Sequence, residues 1–127
     1  MRAPLREEGE CALPKRAGML KMLARAGFTG AFLLGAGALL RLYVDRGVIL
    51  WLHIALGLIF LISAWLLSNQ PSPRRRLVQA GAALSTVGAL VAVGRFLFWP
   101  GVSPWWHVVL MLLAIAGVEL GAARRGS

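Results

Sequence analysis

Four long apolar runs, separated by short breaks, dominate this chain. The first extends over about 23–44 and gives way to Asp45, Arg46 and Gly47; the second covers about 48–67. The break at 68–76, SNQPSPRRR, contains two prolines and three arginines, which do not stay in hydrocarbon. A third run covers about 77–99, Pro100, Gly101 and Pro104 mark a tight turn, and a fourth run occupies about 105–123. Each run approaches or exceeds the roughly 18–20 apolar residues that a helix needs to cross a bilayer. The pattern predicts an all-α polytopic membrane protein with four transmembrane helices in one bundle, residues 23–123, and a short polar tail at 124–127.

Residues 1–22 differ in kind. Arg2, Arg6, Lys15, Arg16 and Lys21 alternate with Glu7, Glu8 and Glu10, Pro4 and Pro14 interrupt them, and no period is sustained. They are expected to form a disordered polar tail. The apolar run that follows is too long for a signal peptide and has no small-residue cleavage pattern on its far side. Met19, in GMLKML, is a candidate start site that would leave residues 1–18 outside the natural protein.

Composition agrees with the spans: 58% of residues are hydrophobic and 15% charged, and the mean hydropathy is +0.71. That is more apolar sequence than one modest soluble core could bury. The net charge of +9 does not point to nucleic acid, because the basic residues sit mainly at the ends of the apolar runs. The segment through Arg25, the 68–76 loop and the C-terminal tail carry six, three and two Lys/Arg, whereas the intervening loops carry Arg46 alone. By the positive-inside rule both termini are expected in the cytoplasm, with the protein in the cell (inner) membrane. Trp51, Trp99, Trp105, Trp106 and Tyr43 then form an aromatic belt at the outer face. Cys11 is the single cysteine, so no internal disulfide is possible, and nothing beside it has metal-ligand spacing.

An offset of 54 positions aligns the two halves. Arg41 falls on Arg95, Gly47 on Gly101, Val48 on Val102, Trp51 on Trp105, His53 on His107, Leu56 on Leu110 and Leu58 on Leu112. Leucine matches are cheap in such a composition, but His53 and His107 are the chain's only histidines. The match predicts two tandem two-helix repeats in a common membrane orientation, related by a pseudo-twofold axis along the membrane normal. Helices 2 and 4 then descend from the same face, with each histidine near the same depth, roughly 7–8 Å for five residues of rise. An imidazole in hydrocarbon requires a partner.

A haem standing on edge between the repeats would meet that requirement. It has two faces for His53 and His107 and two propionates for Arg41 and Arg95, while Gly57, one turn beyond His53, would clear space for the macrocycle. Two histidines on the second and fourth of four helices resemble one half of a haem A synthase, and more loosely the small b-type membrane cytochromes. The likeness covers about 23–123 and rests on topology and on His53 and His107. It implies haem binding; the carboxylate and arginine that flank a histidine in haem A synthase are replaced here by Leu50 and Ile54, so no haem-oxidising activity is implied.

The expected function is therefore a b-type cytochrome binding one haem b near the outer leaflet and transferring electrons, with quinone or a larger redox complex as partner. The alternative is a non-enzymatic accessory or assembly subunit whose Gly/Ala faces pack on a larger complex or on a second copy, the histidines bonding across helices. A quinone-binding or metal-binding site using the same imidazoles is a further possibility. Glu119, whose counterpart is Trp65, would pair with Arg25 or the 74–76 arginines, or handle protons or contact quinone. No carboxylate lies inside the first span, as small multidrug transporters require, and the helix 2 asparagine and the Phe- and Thr-rich break of fluoride channels are missing. No phosphate loop and no Ser/His/Asp set is present.

Overall fold

A computed structural model gives four helices, and no strand, among the described residues: α1, Ala3–Leu39; α2, Arg46–Ser68; α3, Arg75–Leu97; and α4, Pro104–Ala122. The structure describes residues 3–41 and 46–123, with side chains described from residue 15 onward, Arg46 excepted. Cys11, Tyr43, Val44, Asp45 and the 124–127 tail lie outside the described residues or side chains. The segments Lys15–Leu39, Gly47–Ser68, Arg75–Leu97 and Pro104–Ala122 are each long and apolar enough to cross a membrane. The shortest has 19 residues, about 28 Å at 1.5 Å per residue, close to the hydrocarbon thickness. Large apolar side chains are exposed on every helix, Leu33, Trp51, Leu90 and Leu113 among them. Such surfaces aggregate in water and are ordinary in lipid.

Helix ends differ from the hydropathy pattern in ways the backbone explains. α1 starts at Ala3 rather than near Leu23. Leu, Ala, Glu, Lys and Arg dominate this region and favour helix without any apolar period to announce it. At its other end α1 stops at Leu39, short of the expected Val44. Leu40 N–H donates to Ala36 O, Arg41 N–H donates to Ala38 O, and Arg41 adopts φ 58°, a left-handed turn that closes the helix. α3 stops at Leu97 rather than Trp99, because Phe98 and Trp99 both donate to Gly94 O and Pro100 follows. α4 begins cleanly: Ser103 is its N-cap, with Oγ accepting from Trp105 N–H, and Pro104 occupies the first turn, where its missing N–H costs nothing.

The chain divides into two compact units, 1–67 and 68–127, each an antiparallel pair of helices. In the first, small residues bring α1 and α2 into backbone contact. A Cβ at Gly27 would lie 2.8 Å from Leu56 O and 2.9 Å from Phe60 N, so only glycine fits there. Phe60, 2% exposed, packs edge-on against Phe28 with ring centroids 5.3 Å apart. Ala24, Ala64 and Leu67 are also buried.

In the second unit α3 and α4 pack the same way. A Cβ at Gly81 would meet Ala114 O at 2.7 Å and Val118 N at 2.9 Å, and one at Gly121 would meet Val78 N at 2.6 Å. Val78, Ala82, Ser85, Ala114 and Val118 are buried between the helices. Ser85 Oγ donates to Ala82 O at 2.7 Å, and Thr86 Oγ1 to the same carbonyl at 3.1 Å, which satisfies both hydroxyls inside their own helix. At one end of the hairpin Arg74 N–H donates to Gly121 O.

Candidate functional site

Each of the two histidines reaches back to the preceding helix of its own hairpin. His53 is the eighth residue of α2 and reaches across to α1, where its Nδ1 lies 2.7 Å from Ala31 O. His107, the fourth residue of α4, reaches α3, where its Nδ1 lies 2.8 Å from Gly88 O. A carbonyl oxygen only accepts, so each Nδ1 carries the proton and donates it. In the neutral ring the lone pair then belongs to Nε2. Both rings are half-buried.

Glycine makes the first of these bonds possible. Gly35 lies one turn beyond Ala31, where a side chain would stand between the ring and the carbonyl. A Cβ there would be 3.1 Å from His53 Cε1 and 3.3 Å from Nδ1. In the second hairpin Gly88 supplies the carbonyl itself and is covered by Leu110 and Met111. Ala31 and Gly35 carry no polar or charged group that would single them out in the sequence. The signal that could have found them is a Gly exactly one turn after an alanine, opposite a lone histidine.

The hairpins are not exact copies. An offset of 54 would carry the Ala31 acceptor to Ser85, yet His107 uses Gly88. Gly27 faces Leu56 and Phe60, whose counterparts are Leu110 and Ala114, yet Gly81 faces Ala114 and Val118. Both departures are a slide of about one turn in the same sense.

The paired arginines have different surroundings. Arg95 remains in the last turn of α3, and its Nε donates to Val102 O at 2.8 Å, tying helix to turn. Arg41 lies beyond the end of α1 and is exposed. The backbone beside Gly57 is open: nothing lies within 4 Å of where a Cβ would stand. Glu119 and Arg25 are both partnered in the structure, Glu119 half-buried and Arg25 exposed. Among the described residues no group of three or more His, Cys, Asp or Glu could hold a metal ion.

A metal ion in protein typically takes four or more N, O or S ligands, whereas haem iron needs two axial ones. A histidine that ligates a metal is ordinarily oriented by a hydrogen bond of this kind from its other nitrogen. No family model, no curated protein and no solved structure matches this chain.

Proposed function

We propose that this protein is a four-span b-type cytochrome, with both termini in the cytoplasm, that binds one haem b through His53 and His107 and passes electrons near the outer leaflet. The observation that carries the reading is the shared histidine geometry. His53 and His107 each give Nδ1–H to a carbonyl of the preceding helix, which fixes ring orientation and leaves Nε2 as the basic nitrogen. A bis-His haem supplies reversible one-electron chemistry at iron. His53 and His107 would hold its iron. Arg41 would offset the charge of one propionate, and Arg95 the other through its terminal nitrogens while Nε holds Val102 O. Gly57 would leave room for the ring edge. The redox partners are a quinol and a larger membrane complex.

The test is the pigment of variants. His53→Ala and His107→Ala should each abolish a six-coordinate spectrum. Because both changes also remove an interhelical bond, Gly57→Phe serves as a second probe. It adds a side chain where nothing of its surroundings lies within 4 Å, so it should leave the fold intact and displace pigment. Unchanged spectra in all three variants would refute the reading.

A second reading draws on the same bonds: each imidazole is already a clasp within its hairpin. A folded but colourless protein would make the chain a non-enzymatic accessory or assembly subunit. Its exposed Gly/Ala faces would then pack against a larger complex or a second copy.

A further inference from the structure

The turn that leads into α3 carries charge that its surroundings do not neutralise. Arg74 and Arg76 are exposed, and neither guanidinium has a partner among the described residues. Arg75 differs: its Nε donates to Ser68 O at 3.0 Å, capping the end of α2. No acidic residue lies in the first turn of α3, and its N-cap, Arg74, makes no side-chain capping bond. The same turn contains Gln70, whose Oε1 is buried without a hydrogen-bond partner. The backbone around these groups is fixed, because Arg74 N–H is bonded to Gly121 O. Two unpaired cations and one buried acceptor that lacks a donor thus share one short segment at the end of a membrane span.

We propose that this turn binds the headgroup of an anionic phospholipid, with Arg74 and Arg76 pairing with the phosphate. Phosphodiesters are the anions present at this depth, and arginine is the side chain best suited to them. Phosphatidylglycerol supplies that charge. Leu77 and Leu120, exposed in the adjoining turns of α3 and α4, offer an apolar surface to its acyl chains. The proposal is independent of haem.

The test uses the full chain purified in a maltoside detergent and titrated separately with phosphatidylglycerol, phosphatidylcholine and inorganic phosphate. Lipid retention is read by native mass spectrometry and melting temperature by tryptophan fluorescence. Phosphatidylglycerol should be retained and should raise the melting temperature, and the double variant Arg74→Gln, Arg76→Gln should weaken its binding on the order of 30-fold. Arg75→Gln should lower the melting temperature and retain the lipid, because that side chain is used on Ser68 O. Equal retention of phosphatidylcholine, the same stabilisation by inorganic phosphate, or unchanged binding by the double variant would overturn the proposal.

Discussion

Gly35→Ala isolates the clasp that holds His53. The added Cβ would stand 3.1 Å from His53 Cε1 and 3.3 Å from Nδ1. Carbon contacts relax to about 3.5 Å or more, so the ring must withdraw by roughly 0.4 Å. That carries the 2.7 Å bond to Ala31 O to about 3.1 Å, the outer edge of a good hydrogen bond. An interhelical hydrogen bond in a membrane protein contributes about 0.6 kcal/mol, at most ~1.7. Replacing glycine by alanine inside a helix gains about 0.8–1 kcal/mol. The two effects oppose, so Gly35→Ala alone should change stability little. Gly57→Ala receives the same helical gain and meets nothing within 4 Å. In haem-free protein it should therefore be the more stable of the two by about 1 kcal/mol. Reversible unfolding in mixed micelles with rising dodecyl sulfate, followed by tryptophan fluorescence, reads that difference. In a His53→Ala background the difference should disappear. Equal stabilisation by both alanines in the presence of His53 would refute the reasoning, since Gly35 would then be clearing no path.

Three other outcomes follow from the packing and the turns. Gly81→Ala and Gly121→Ala place a Cβ against partner-helix backbone at 2.7 and 2.6 Å, and each should lower stability by about 1–3 kcal/mol in the same unfolding assay. Arg95→Ala removes the bond to Val102 O and should lower the melting temperature by the equivalent of about 1.5 kcal/mol, with faster proteolysis in the 98–103 turn. Arg41→Gly relieves the left-handed backbone at φ 58° and should stabilise the haem-free protein by about 1 kcal/mol, measured by the shift in its thermal midpoint.

Hydropathy alone revealed the four spans, because lipid demands a long apolar run whatever the partners. It placed the starts of α2, α3 and α4 within two residues, where Arg46–Gly47, the 71–76 segment and Ser103–Pro104 supply clear breaks. The end of α1 was hidden. The Arg41 turn is a backbone event, and the apolar Leu42, Tyr43 and Val44 beyond it read as more helix. The histidines announced themselves as the chain's only two, at matched positions. Their hydrogen-bond acceptors are main-chain carbonyls, which every residue carries, so only the glycine that exposes one of them leaves a mark in the sequence. The arginines show the limit of a repeat argument. Arg41 and Arg95 match by position, yet one closes a helix in left-handed conformation and the other braces a turn from within a helix. The one-turn slide between hairpins is likewise unmarked by the spacing, and Phe60 and Ala114, very different in volume, hold corresponding places.

The central claim is tested most directly by the oxidised and dithionite-reduced optical spectra of the full chain, expressed with a supply of haem precursor and quantified for haem per polypeptide. A sharp six-coordinate b-type spectrum at about one haem per chain is the predicted result, with His53 and His107 on its two faces. A protein that is helical, folded and colourless would contradict the account and leave both histidines as hairpin clasps.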